Sequence, residues 1–160
     1  MKPIACSKYS EFDDLIITKA SDMGLPLIGG TALEILSDYY KQPNVRSRSE
    51  NDLDFITNSY DVYVSLNNWL YNNVDTTKVQ VDIMHIISHN IPKELIIDIR
   101  GIKVMSPEYL IWSKVQRFTE KDKSDILWLL QIADIDLLEV WMERLGVTTT
   151  EIDKINDLIK

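Results

Sequence analysis

Hydrophobic and polar residues follow two different periods along the chain, and the change between them indicates an α+β fold. Over residues 25–105, short apolar or β-branched runs alternate with segments of helical spacing. Residues 106–160 show helical spacing only. We therefore predict a core over residues 1–105 and a helical C-terminal part over residues 106–160 that packs on it.

Local signals define the expected elements. Strands are predicted where apolar residues run together, over residues 25–28, 52–57, 79–87, 94–99 and 102–105. Helices are predicted over residues 10–23, 31–40, 61–71, 106–133 with a break near 120, 136–145 and 151–159. The pair Gly29-Gly30 is expected to break the chain between the first strand and the second helix. Ser106-Pro107 is expected to start a helix, and Thr148 with Glu151 fits a capping box.

Composition and charge narrow the classes of protein that fit. The chain has 160 residues, of which 45% are hydrophobic and 26% charged, as in ordinary folded domains. Its net charge of −8 repels nucleic-acid backbones and anionic membranes, which disfavours a broad, sequence-independent nucleic-acid binder. Cys6 is the only cysteine, and no apolar run approaches the roughly 20 residues of a membrane span. We therefore expect a cytoplasmic protein without a membrane segment.

Three aspartates are placed where strands are predicted. Asp52 and Asp54 are two residues apart, so both side chains point to one face of the strand, and Asp82 lies inside another apolar run. Aspartate is a poor strand former, and neighbouring carboxylates repel each other unless a cation lies between them. We expect the three carboxyl groups to converge on a common cation, roughly 4–7 Å apart.

A second feature is the segment Gly29-Gly30-Thr31 between a predicted strand and a predicted helix. Glycines allow the backbone to approach a ligand, and a helix N-terminus offers N–H groups to a phosphate. The lysine of a P-loop is absent, so this is not a Walker A motif. Taken singly, a glycine pair is most often a turn, and strand aspartates are most often solvated. Their joint order along the chain predicts one site beside the glycine pair.

In that order the sequence resembles the nucleotidyltransferases of the DNA polymerase beta superfamily. It is most similar to the small abortive-infection-toxin and aminoglycoside-nucleotidyltransferase types. The matching segments lie within residues 10–133 and are 28–34, Arg48 to Phe55, 81–84, and a late helix with Lys114, Arg117, Lys121, Asp122 and Asp125. Residues 134–160 match no element of these families that we can name.

The resemblance implies a mixed sheet flanked by helices and a defined chemistry. A nucleoside monophosphate would pass from a nucleoside triphosphate to an acceptor hydroxyl, with release of pyrophosphate. Asp52 and Asp54 would hold Mg²⁺, as two ions, and Asp82 would bind the second ion or help deprotonate the acceptor. The residues implied to contact the triphosphate are Gly29, Gly30, Thr31, Arg48, Lys114 and Lys121.

Several alternatives stay open at this stage. The acceptor can be RNA or tRNA, a small molecule such as an aminoglycoside, or a protein. The same fold can serve without catalysis, as a partner-bound component of a defence or toxin–antitoxin system, or the aspartates can decorate an unrelated α+β domain. The basic residues 114–123 can form a solvated helix face. His85 and His89 have the spacing of a metal pair only on a helix, which is not predicted there.

Overall fold

The computed structural model describes residues 11–43 and 52–160, and it describes side chains from Asp13 onward within them. The helices over these residues are α1 (Glu11–Asp22), α2 (Gly29–Tyr40), α3 (Tyr60–Asn73), α4 (Pro107–Arg117), α5 (Glu120–Leu130), α6 (Ile135–Leu145) and α7 (Thr149–Ile159). The strands are β1 (Leu27–Ile28), β2 (Asp52–Thr57), β3 (Gln80–His85), β4 (Ile96–Ile99) and β5 (Ile102–Met105).

The five strands form one mixed sheet in the order β3-β2-β1-β5-β4. Strand β1 runs antiparallel to β2 and parallel to β5, whereas β2 and β3 are parallel. Strands β4 and β5 form an antiparallel hairpin. The predicted α+β fold with a mixed sheet flanked by helices is therefore confirmed.

Most predicted elements are present, and the bounds of three strands differ from the prediction. The predicted strand 25–28 shortens to Leu27–Ile28, since Pro26 has no N–H to give to a ladder. The predicted strand 79–87 shortens to Gln80–His85. The predicted strand 94–99 divides into one turn of 3₁₀ helix, Lys93–Leu95, and strand β4.

The glycine pair has a different role from the one predicted. Helix α2 begins at Gly29 itself, so Gly29 and Gly30 form its first turn and do not precede it as a break. Gly29 has a φ of 72°, a left-handed conformation that side chains disfavour. This conformation lets the chain pass from β1 into α2 without a connecting loop.

Capping residues mark where the helices of the C-terminal part begin. Ser106 caps α4 by accepting a hydrogen bond from the Tyr109 N–H, with Pro107 in the first turn. A capping box of Thr119 and Asp122 starts α5, which ends at Leu130, not at 133. The predicted capping box of Thr148 starts α7.

The sheet and the helices of both parts contribute to one hydrophobic core. Leu53 and Phe55 of β2 are fully buried, as are Ile111 and Leu129 of the C-terminal helices. None of the described helices has both the length and the hydropathy needed to cross a bilayer.

Candidate metal centre

The three aspartates converge as the alternation of β2 predicts. Asp52 and Asp54 lie on one face of the strand, half-buried, while Leu53 between them is in the core. Asp82 of β3 pairs in register with Asp54. In-register neighbours on parallel strands point to the same face, so the carboxyl groups of Asp54 and Asp82 are adjacent.

The spacing of these carboxylates suits a cation. Asp52, Asp54 and Asp82 each offer a ligand oxygen, and the three oxygens lie within 4.8 Å of one another. This confirms the predicted convergence. Asp82 is exposed, and its Oδ2 accepts a hydrogen bond of 3.4 Å from the Gln80 amide. Asp82 therefore forms the solvent-facing side of the cluster.

Gly29 lies directly against the cluster. Its neighbour Ile28 pairs with Asp54 across the ladder between β1 and β2. A Cβ added at Gly29 would collide with Oδ2 of Asp54. Residue 29 is therefore glycine for two reasons, its left-handed φ and the space that the Asp54 carboxylate occupies.

The electrostatics of the cluster favour either a proton or a metal. Burial, followed by the charges of Asp52 and Asp82, raises the pKa of Asp54 from its ordinary 3.8 to about 6. A hydrogen bond with Asp82 acts in the same direction, and the charge of Arg117 opposes the rise. The cluster thus has more negative charge than the surrounding groups neutralise.

One oxygen of the Asp52 carboxylate bears most directly on cation binding. This oxygen, Oδ1, is buried and has no hydrogen-bond partner among the described residues. A buried carboxylate oxygen without a partner costs free energy, roughly 1–3 kcal/mol or more for a charged group. A divalent cation at the cluster would satisfy this oxygen.

The side chain of Thr31 is buried and hydrogen-bonded within the protein. Its side chain is 1% exposed, and its hydroxyl donates to the main-chain carbonyl of Asp52 at 2.8 Å. The Thr31 side chain therefore lies inside the protein, and a contact of residue 31 with a triphosphate, which stays a prediction, would involve its main-chain N–H.

The N-terminus of α2 points its N–H groups toward this region without a side-chain cap. Ile28, the N-cap residue, has no side-chain oxygen, and no acidic residue lies in the first turn. The first N–H groups of a helix lack intrahelical acceptors and carry partial positive charge. The first turn of α2 is therefore suited to an anionic group.

Lys114 is neither a solvated lysine nor a free cation for phosphate. It is 5% exposed, and its ammonium lies 3.0 Å from Asp125 Oδ2 and 3.8 Å from Asp122 Oδ1. Both carboxylates are themselves buried. The prediction that Lys114 contacts a triphosphate is not supported, because its charge is already balanced inside the junction of α4 and α5.

The other predicted basic contacts differ in their outcome. Lys121 is exposed on α5 and makes no ion pair with any described residue. Arg48 lies outside the described residues. Arg117, which the sequence analysis did not place in the site, has an exposed guanidinium 3.0 Å from Asp122 Oδ1, and its charge acts on Asp54. The sequence signals for Arg117 are its position in the last turn of α4 and its place in the late helix that carries the family resemblance.

The two histidines do not form a metal pair. His85 Nε2 contacts the carbonyl oxygen of Asn58 at 3.0 Å. His89 Nε2 contacts the Tyr109 hydroxyl at 2.8 Å, and burial lowers the pKa of His89. Within the described part of the chain, neither belongs to a group of three metal ligands.

Comparisons with known proteins add no assignment. No protein-family model, no curated protein and no solved structure matches this chain. The acidic cluster and its surroundings are therefore the basis of any functional statement.

Proposed function

We propose that this chain is a Mg²⁺-dependent nucleotidyltransferase that moves a nucleoside monophosphate from a nucleoside triphosphate to an acceptor hydroxyl. The observation that carries the proposal is the convergence of Asp52, Asp54 and Asp82 within 4.8 Å beside the first turn of α2. Carboxylate oxygens are the ligands that magnesium prefers, together with substrate phosphates.

The site fits such ions on three independent grounds. Asp52 Oδ1 is a buried oxygen without a partner among the described residues. Gly29 has no Cβ, so the Asp54 carboxylate can lie against the main chain at the start of α2. All three donors are hard carboxylate oxygens, a set that could hold a metal ion. Bound Mg²⁺ would stabilise the negative charge that develops on the reacting phosphate and the leaving group.

In this proposal the two substrates bind on different sides of the acidic cluster. On the side of β1, the N–H groups at the start of α2 bind the triphosphate, and Arg117 balances its charge. On the side of β3, the exposed Asp82 faces the acceptor and takes the proton of its hydroxyl.

Bond changes then balance as in other phosphoryl transfers. The acceptor oxygen forms a bond to the α-phosphorus, and the bond from that phosphorus to the bridging oxygen of the β-phosphate breaks. Pyrophosphate leaves with the electron pair. The chain contributes mainly orientation and charge, because it holds both substrates on either side of one acidic cluster.

A transfer assay tests this proposal. The protein is incubated with each α-³²P-labelled nucleoside triphosphate, Mg²⁺, and a panel of total RNA, aminoglycosides and lysate protein. We expect label on one acceptor class with the wild type and at least a hundredfold less with Asp54→Asn. Asp153→Asn, which changes an exposed aspartate on α7, serves as the matched control and should transfer like the wild type.

Two results would contradict the proposal. Transfer that persists in Asp54→Asn would remove the acidic cluster from the reaction. A wild-type protein that binds Mg²⁺ but labels no acceptor would favour the non-catalytic role as a binding component.

A further inference from the structure

We infer that Thr31 is a positioning residue, whose hydroxyl holds the main chain of Asp52 so that the Asp52 carboxylate points at the bound cation. The inference rests on the proposed metal site. It assigns a specific role to a side chain that the sequence places at the phosphate.

The short length of β1 creates the need for this contact. Strand β1 has two residues, Leu27 and Ile28, which pair with Phe55 and Asp54. The chain then enters α2 at Gly29, so β1 does not continue to the level of Asp52. On its other side Asp52 is paired with Gln80 of β3.

The Thr31 hydroxyl binds the main chain of Asp52, which β1 is too short to pair with. It donates to the carbonyl oxygen of Asp52 at 2.8 Å, across 21 residues of sequence. Asp52 is the first residue of β2, so this bond ties the start of the strand to the first turn of α2. The orientation of the Asp52 carboxylate then depends on a main chain that is held from both sides.

The Thr31 side chain in this hydrogen bond with Asp52 is buried. The Thr31 hydroxyl therefore acts within the protein and does not contact the nucleotide. Thr31 is 1% exposed, and Oδ1 of Asp52, the residue whose carbonyl it binds, is also buried. Hydrogen bonds that orient a metal ligand through a neighbouring group typically change metal affinity about 10–100-fold when removed. We therefore expect the hydroxyl of Thr31 to act on the affinity for the cation and not on contacts to the nucleotide.

Three variants separate positioning from stability. Thr31→Val keeps the shape of the side chain and removes the hydroxyl, and Thr31→Ser keeps the hydroxyl. Thr57→Val makes the same change at the other end of β2, where the buried Thr57 hydroxyl accepts a hydrogen bond from the Ser59 N–H. Mn²⁺ binding is measured by isothermal titration calorimetry, and the unfolding midpoint is measured in chelator.

We expect Thr31→Val to weaken Mn²⁺ binding about tenfold. Thr31→Ser and Thr57→Val should each bind within about threefold of the wild type, although Thr57→Val loses a hydrogen bond of similar kind. Unchanged binding in Thr31→Val, or an equal loss in Thr57→Val, would overturn the inference while leaving the proposed function intact. Loss of transfer activity in a wild type that binds Mn²⁺ would overturn the proposed function alone. A wild type that binds no Mn²⁺ would overturn both.

Discussion

Asp54 and Asp82 lie directly opposite each other on the parallel strands β2 and β3, and their carboxyl groups share a hydrogen bond. Two carboxylates at this separation cannot both be ionised without strong repulsion. The pair therefore holds either a proton or a cation, and the choice between them depends on pH and on the metal concentration.

The repulsion predicts that the site destabilises the metal-free protein. Asp82→Asn removes one charge of the cluster and keeps the side-chain shape, so we expect it to raise the free energy of unfolding by roughly 1 kcal/mol in chelator. The same variant should lose most of the stabilisation that added Mg²⁺ gives the wild type. Chemical denaturation with and without Mg²⁺ measures both. A less stable Asp82→Asn variant in chelator would contradict this account.

The pKa of Asp54 predicts a specific dependence of stability on pH. The folded carboxyl keeps its proton up to about pH 6, whereas an unfolded aspartate loses it near its ordinary value of 3.8. Between these values the folded state binds more protons, so this group's contribution to stability falls as pH rises and levels off above about 6. The difference in unfolding midpoint between Asp54→Asn and the wild type in chelator should therefore grow through this window. Parallel curves for the two proteins would disprove the shift.

Metal binding should depend on pH through the same group. Because the cation replaces the proton of the Asp54–Asp82 pair, Mg²⁺ affinity is expected to rise as pH increases from about 5 to 7. Calorimetry in two buffers of different ionisation enthalpy would detect the released proton. An affinity that is constant over this range would exclude the competition.

Gly29 offers a test with an internal control. Gly29→Ala places a side chain at a φ of 72° and against Asp54 Oδ2, whereas Gly146→Ala meets a φ of 87° with nothing near its added Cβ. Each should lose about 1–3 kcal/mol of stability from its backbone conformation. We expect only Gly29→Ala to lose Mg²⁺ binding as well. Equal metal affinity in both variants would show that the space beside Asp54 is not part of the site.

Lys114 is predicted to act on folding. Lys114→Met leaves the buried Asp125 carboxylate without its 3.0 Å partner, which should cost about 3–5 kcal/mol of stability. Lys160→Met removes an exposed lysine that is paired with Asp157 and should cost about 1 kcal/mol or less. Denaturation curves compare the two. A stable Lys114→Met variant with a raised KM for nucleotide would restore the role that the sequence analysis gave this residue.

Arg117 is predicted to contribute to binding of the nucleoside triphosphate. Arg117→Gln removes the charge that acts on Asp54 and an ion pair with the buried Asp122 carboxylate, which keeps Lys114 at 3.8 Å. We expect the KM for the nucleoside triphosphate to rise about tenfold, as for the loss of a charge-assisted hydrogen bond. Arg144→Gln, whose guanidinium lies over the Trp141 ring on α6, is the matched control. An unchanged KM in Arg117→Gln would show that Arg117 does not contact the triphosphate.

Local features of the site follow from the sequence. The alternation of β2 places Asp52 and Asp54 on one face because Leu53 is apolar and strand side chains alternate. The start of α4 follows from Ser106-Pro107 because capping is a matter of adjacent residues. The start of α2 at Gly29 did not follow, since a glycine pair is compatible with both a turn and the first turn of a helix.

Contacts between segments that are distant in the chain could not be predicted from the sequence. The partners of Lys114 depend on how α4 packs against α5, and a lysine on an amphipathic helix gives no sign of being buried by a later one. The reach of Arg117 toward Asp54 depends on where the end of α4 lies relative to the sheet. The bond from Thr31 to Asp52 depends on β1 being only two residues long.

The sequence by itself determined the α+β class, the strand that carries Asp52 and Asp54, and the capped helices of the C-terminal part, because these depend on periodicity and on neighbouring residues. Only the tertiary structure decided that Asp82 lies opposite Asp54, that the Thr31 hydroxyl binds the Asp52 carbonyl, and that buried carboxylates balance the charge of Lys114. Each of these depends on strand register or helix packing, in which segments far apart in the chain meet, and no local pattern specifies that meeting.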